Sequence, residues 1–237
     1  MTEPTSHQYI GKDLEAMSFA ENYHRWIMSE LAAYVTGSVA EVGAGVGSVS
    51  SLLLDLDIKQ LEAFEPSVEM YAQLQSSLST VPQAAAINAF FGVDCAPASY
   101  DTIVYINVLE HIEDDAGELE RARDALVAGG HLLIFVPALS WLYSNLDREV
   151  GHFRRYTKSN LVRLVEKAGL DVLNARYFDI AGVLPWYINF VLLKNSIGGG
   201  SVALYDKLVV PIMRPVERLL PLPLGKNVLL IAKKPEI

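Results

Sequence analysis

The chain has 237 residues, 51% of them hydrophobic, a net charge of −9 and a single cysteine. That is enough apolar material for one well-cored domain, while the acidic balance argues against nucleic-acid binding, which needs a basic surface. Cys95 has no partner for an internal disulfide, which fits a reducing compartment and gives a cytoplasmic expectation.

Residues 1–7 are polar and lack the charged and apolar regions of a signal peptide. No window reaches the ~18 apolar residues of a membrane-crossing helix; the nearest, 180–193, is short and holds Pro185 and Asn189. A helix is expected at 21–34, part of an N-terminal cap (1–37) able to lie over a ligand pocket. Strands follow at 38–42, 60–64, 84–88, 102–106 and 131–136, alternating with helices near 49–56, 67–78 and 115–127. The last helix carries Asp115 and Glu118 at capping-box-like spacing, with Gly129-Gly130 to close it. Thr157 reads as an N-cap, Leu161, Leu164, Val165 and Ala168 follow at helical spacing, and Gly169 ends that helix. Two final strands are expected at 170–178 and 227–232. This alternation implies an α/β fold, a mostly parallel sheet with helices on both faces. The chain divides into a core (38–178), an insertion (179–226) that includes a flexible-looking stretch at 196–201, and a closing edge strand (227–237), all in a single domain.

The chemistry concentrates where strands end. The first strand runs into Glu41-Val42-Gly43-Ala44-Gly45-Val46-Gly47, and the second ends in Glu65 followed by Pro66. Glycines at 43, 45 and 47 allow a tight turn and a close backbone approach to a ligand. Glu65 stands where an acid can accept hydrogen bonds from ribose hydroxyls. A dinucleotide fingerprint would be G-x-G-x-x-G, with a pyrophosphate on the helix N-terminus. Here the spacing is G-x-G-x-G, and Glu41 would repel a pyrophosphate and suit a cationic group, such as an amino-acid ammonium. A nicotinamide-dependent oxidoreductase is therefore disfavoured, and a nucleoside cofactor with a cationic end is favoured.

With the segment Asn107-Val108-Leu109-Glu110-His111-Ile112 after the fourth strand, these motifs resemble the class I S-adenosylmethionine-dependent methyltransferases of the small-molecule type, over about residues 38–178 and again at the last strand. The resemblance implies a Rossmann-like seven-stranded sheet with an antiparallel last strand, an insertion before that strand that shapes the acceptor pocket, and S-adenosylmethionine as cofactor, leaving as S-adenosylhomocysteine. It implies that Glu41, Gly43, Ala44, Gly45 and Gly47 hold the methionine end, that Glu65 and Pro66 lie at the ribose, and that Asn107 with the Val108-Leu109 backbone lines the sulfonium. Many relatives carry an acid after the third strand, at the adenine. This chain has Asn88-Ala89-Phe90-Phe91 instead, so either Asn88 or a backbone carbonyl is expected to replace that acid, or Asp94 is the acid displaced, with Phe90 or Phe91 as the stacking ring.

A stretch after the fifth strand, Leu146-Asp147-Arg148-Glu149-Val150-Gly151-His152-Phe153-Arg154-Arg155-Tyr156-Thr157, is similar to the LD-x-x-x-GH-x-RRYT stretch of a subgroup linked to glycan, lipid or natural-product pathways. His111 and His152 are the candidate bases, because a histidine titrates near neutral pH. Arg154, Arg155 and Tyr156, with Trp186 in the insertion, are the candidate acceptor contacts; arginine grips carboxylate or phosphate bidentately. Alternatively His111 serves only the next helix, and the arginines pair with surface acids.

Glu110, His111, Asp114 and Asp115 form an acid and histidine cluster, and some quinone-type O-methyltransferases bind a divalent ion near such a segment. Helix capping and the helix dipole account for these acids, so no metal is expected; no Cys/His zinc spacing exists. Residues 194–234 hold seven Lys/Arg and two acids among apolar residues, and Pro211, Pro215, Pro221 and Pro223 forbid one long helix there. An apolar cap or homodimer contact and a peripheral membrane or lipid contact are both open for this segment. The expected activity is methyl transfer to an oxygen of a small-molecule acceptor. The rival from another class is a non-catalytic cofactor-binding scaffold that kept the fold.

Overall fold

The computed structural model describes residues 20–92, 95–195, 199–220 and 222–236. Asp94, Pro221, residues 196–198 and most of the N-terminal cap lie outside them. Seven strands form one sheet: β1 Gly37–Val42, β2 Ile58–Phe64, β3 Ala84–Ile87, β4 Tyr100–Ile106, β5 Leu126–Pro137, β6 Asp171–Phe178 and β7 Asn227–Lys233. Their order is β3-β2-β1-β4-β5-β7-β6. The first five strands pair in parallel, and β7 runs antiparallel to both β5 and β6. The strand order reverses between β1 and β4, so a crevice opens at their carboxyl ends, where ligands bind in open sheets of this kind.

The helices are α1 Glu21–Leu31, α2 Ser48–Leu54, α3 Val68–Leu78, α4 Asp115–Ala125, α5 Asn145–Glu149, α6 Lys158–Lys167, α7 Val183–Trp186 with a π-helical continuation over Tyr187–Leu192, α8 Gly199–Leu208 and α9 Val210–Leu219. The sheet is buried on both faces, and the period of two shows in the cores. Ile103, Tyr105, Leu132, Ile134 and Val136 pack in one. Val104, Leu133 and Phe135, their sequence neighbours, pack in the other. Thr157 caps α6 as expected, its hydroxyl accepting from the Asn160 N–H.

Several expectations need correction. The helix expected at 115–127 ends at Ala125, and Gly129-Gly130 lie inside β5 rather than closing the helix: Leu126 is already extended and pairs with Tyr100. The cap of α4 is Asp114, which accepts from the Gly117 N–H, not an Asp115–Glu118 box; Glu118 is buried and accepts from the Tyr105 hydroxyl. The closing strand is not at the sheet edge. β7 slides between β5 and β6, which buries nearly all of its residues and leaves β6 as the edge. The first helix, α1, packs on a sheet face: Trp26 lies on Phe178 at 4.1 Å between ring centroids, and Tyr23 meets Phe135 and Phe178 edge-on. Proline does break the insertion as expected, with α8 and α9 meeting ahead of Pro211, although Pro215 is accommodated inside α9.

Candidate functional site

The glycine loop leaves β1 at the switch point. Gly43 has φ +67°, and a Cβ there would stand 2.6 Å from Cγ2 of Val108, the residue that follows β4 by two. The two halves of the crevice therefore touch at a position only glycine fits. Gly43→Ala combines left-handed strain with a clash against a stiff β-branched side chain, so it should cost about 2 kcal/mol or more of stability, read as a lowered denaturant midpoint. Gly47, at φ +93°, is the N-cap of α2. Gly45 turns its N–H toward β2 and donates to Glu65 Oε2 at 2.9 Å, while the Ser67 N–H donates to Oε1 at 2.8 Å. These two bonds fix the Glu65 carboxylate and leave each oxygen a lone pair, which is what a vicinal diol requires.

Glu41 is buried at the end of β1, and its carboxylate accepts from the Ser50 hydroxyl. Burial, with Glu65 nearby, pushes its carboxyl up to about 8. A buried acid without a cation beside it is costly to ionise, so the site favours a ligand that brings a positive charge. Asn88 spends its amide donor on the carbonyls of Glu65 (2.9 Å) and Pro66 (3.3 Å), so it braces the end of β2. Of the two candidate stacking rings, Phe91 is in the core, edge-on to Phe64. Phe90 is 64% exposed and is the ring still open to a base. Asn107 sits at φ +54°, in the left-handed region that asparagine tolerates, with its N–H bonded to the Phe135 carbonyl at 2.8 Å. The Leu109 side chain is core, leaving only its backbone to the crevice.

The second half of the site joins the turn after β4 to the α5–α6 loop. His152 is held through Nδ1 by Asp147 Oδ1 at 2.8 Å, and its Nε2 points to Glu110 Oε1 at 3.8 Å. Asp147 also accepts from Arg155 Nε at 2.8 Å and from the Ser144 N–H and hydroxyl at 2.8 Å each. Burial would raise its carboxyl, but His152 and Arg155 hold it down at about 2. Glu110 is fully buried with neither carboxylate oxygen hydrogen-bonded among the described residues, and burial pushes it up to about 7. His111 meets the His152 ring edge-on at 4.5 Å. Burial and the adjacent His152 press it down to about 3, leaving it neutral. Glu110, His111 and His152 offer ligand atoms within 4.8 Å of one another, so they could hold a metal ion; Asp114 and Asp115 of the sequence cluster are engaged elsewhere.

The expected acceptor contacts each have partners within the protein. Arg155 is buried, bonded to Asp147 and stacked over the Trp186 ring at 4.5 Å, and the Trp186 indole N–H goes to the Leu142 carbonyl at 3.1 Å. Arg154 pairs with Asp115 at 2.6 Å and donates to the Glu113 carbonyl. The Tyr156 hydroxyl donates to Asp115 Oδ2 at 2.8 Å. These residues assemble the loop around His152. Two residues of this cluster stand out only in the fold. Asp147, five residues before His152, bonds its ring, and the aspartate of the LD-x-x-x-GH pattern is its one signal in the sequence; Glu110 reads there as one of a run of acids.

A protein-family model described as a methyltransferase domain matches residues 15–175. The chain belongs to that methyltransferase family. Its cofactor is S-adenosylmethionine, and the glycine loop, the braced Glu65 and the cation-seeking Glu41 fit that group: a diol acceptor, a close backbone approach and a counter-charge. Among curated proteins, the tRNA U34 carboxymethyltransferase of Campylobacter concisus is 31% identical over 112 residues, 46% of this chain, and the match spans only 37% of that protein. Among solved structures, a Haloferax volcanii methyltransferase in complex with the Trm112 methyltransferase activator superposes with TM-score 0.67 at 15% identity, covering 95% of each chain. Phospholethanolamine N-methyltransferase 2 of Haemonchus contortus, bound to phosphomonomethylethanolamine and S-adenosylhomocysteine, gives 0.65 at 13% identity, covering 97% of this chain and 58% of that one. At such identities the structures share the fold, and the acceptors differ widely on it.

Proposed function

We propose that this methyltransferase transfers its methyl group to a hydroxyl oxygen of a small-molecule acceptor, with His152 as the general base. The observation that carries this is the Asp147–His152 pair beside the crevice. Bound S-adenosylmethionine supplies the electrophilic methyl carbon. The chain must align an acceptor with it and remove the acceptor proton. Asp147 holds Nδ1, so Nε2 is the free basic nitrogen; buried Glu110 facing Nε2 can take up the proton in turn. An oxygen acceptor needs this arrangement more than an amine does. His111, held neutral and weakly basic, packs against the base rather than replacing it. Glu41 would receive the cofactor ammonium, Glu65 the ribose, and Phe90 the adenine face.

The net charge of −9 favours a small acceptor over RNA. The test is transfer of labelled methyl from S-adenosylmethionine to a panel of sugar, phenol and amine acceptors, with bulk tRNA as a parallel arm. Label in an ether product supports the proposal. Label in tRNA, or only in amines, overturns it. Tight cofactor binding with no transfer to any of these would favour the scaffold alternative.

A further inference from the structure

The insertion puts its charges and its apolar side chains in an unusual order. Between residues 180 and 220 the sequence has two acids, Asp206 and Glu217, and both are buried. Asp206 accepts from the Asn22 and Tyr23 N–H groups at the start of α1, satisfying donors that a helix N-terminus leaves open. Glu217 accepts from the Asp179 and Ile180 N–H groups at the end of β6. These bonds fix which way α8 and α9 face. In α9 the inward positions are Val210, Met213 and Glu217. On the outer side, Ile212 is 65% and Leu219 81% exposed, with Val216 between them at helical spacing, and the exposed Arg214 and Arg218 lie along the flank. A surface helix ordinarily presents polar residues outward; this one presents an apolar stripe bordered by cations. The pattern recurs nearby. Leu204 and Leu208 are exposed on α8 beside Lys207, and Leu192 and Leu193 beside Lys194 at the end of the π-helical segment. The two helical stretches are neighbours, since Lys226 lies over both the Trp186 and Tyr205 rings, at 5.7 and 5.9 Å.

We propose that the outer face of α8, α9 and the π-helical segment lies on an anionic lipid surface, its leucines and isoleucine in the headgroup–acyl boundary and Lys194, Lys207, Arg214 and Arg218 against the lipid phosphates. An interfacial helix has this composition: one apolar side, cations at its border and no exposed acid. No described helix is long and apolar enough to cross a membrane, and the proposed contact is a peripheral one. A second copy of the chain fits the face less well, because an isologous contact would bring the same cations together. Burying these side chains in lipid gives the exposed area a reason that a free soluble face lacks.

Co-sedimentation of the full chain with vesicles tests this without any acceptor or cofactor, so its outcome is independent of the methyl-transfer proposal. Phosphatidylcholine vesicles carrying phosphatidylglycerol should pull the protein down, and phosphatidylcholine alone should leave most of it in solution. Arg214→Ala with Arg218→Ala should weaken the partition roughly fivefold per cation removed. Ile212→Gln with Leu219→Gln should weaken it by about tenfold or more, with an unchanged thermal melt, since both side chains point away from the fold. Protein that stays in solution with every vesicle overturns the proposal, as do variants that bind like the parent. Light scattering that shows a dimer dispersed by Ile212→Gln with Leu219→Gln, without vesicle binding, would assign the face to a second copy instead.

Discussion

His152→Ala should lower kcat by 10²- to 10⁴-fold, the usual range for a positioned general base, while the KM for S-adenosylmethionine changes little, because none of the expected cofactor contacts involves this ring. Asp147→Asn separates orientation from packing: the asparagine amide can fill the same space but cannot accept as the carboxylate does from His152 and Arg155. It should reduce kcat with a changed pH profile, and also destabilise the fold, because it leaves the buried Arg155 poorly compensated. His111→Ala should matter much less, since burial and His152 already hold that ring neutral at about 3. Equal losses from His111→Ala and His152→Ala, with flat pH profiles in both, would contradict the assignment of the base.

The second large effect belongs to Glu41. Its carboxyl titrates at about 8 in the folded chain against 4.5 for an unperturbed glutamate. Folding stability from this group is therefore present below pH 4.5 and is lost as the pH rises through 8, because over that interval the unfolded chain releases a proton that the folded chain keeps. Glu41→Gln removes the loss. The melting temperature of the ligand-free variant should exceed the parent's by a margin that grows from pH 5 to pH 8. The same substitution should weaken S-adenosylmethionine by tenfold or more, since the ammonium loses its counter-charge. Binding to the parent should also release protons near neutral pH, as the raised carboxyl of Glu41 ionises beside the incoming cation; calorimetry in two buffers of different ionisation enthalpy reads this directly. No proton release, with unchanged affinity in Glu41→Gln, would remove Glu41 from the site.

Much of this was legible in the sequence, for physical reasons that differ by element. The strands at 38–42 and 102–106 announce themselves as short apolar runs because parallel strands are buried on both faces. The glycine loop shows because left-handed backbone leaves few other residues, and Thr157 because a cap is a local device. The failures share a different cause. Gly129-Gly130 look like a helix stop, yet pairing of Leu126 with Tyr100 starts the strand earlier, a long-range preference that overrides the local signal. β7 reads as an edge strand because sequence order suggests it, while the sheet inserts it between β5 and β6. For Arg154, Arg155 and Tyr156, read as acceptor contacts because their chemistry suits anions, what the sequence hides is their protein partners: Asp115 and Asp147 become visible only when the chain is folded. The pairing of His152 with Glu110, 42 positions away, is likewise invisible to spacing. Sequence does show that residues 194–234 are basic and apolar, but not that Asp206 and Glu217 turn inward and the leucines outward.

Calorimetric titration of the folded chain with S-adenosylmethionine and S-adenosylhomocysteine, repeated on Glu65→Ala, bears most directly on the cofactor site. Both ligands should bind the parent. Glu65→Ala should weaken both by tenfold or more, because it removes the acceptors for two ribose hydroxyls and frees the Gly45 and Ser67 N–H groups that the carboxylate now holds. Absence of binding by the folded parent, or equal binding by parent and Glu65→Ala, would contradict the placement of the cofactor between β1, β2 and β4.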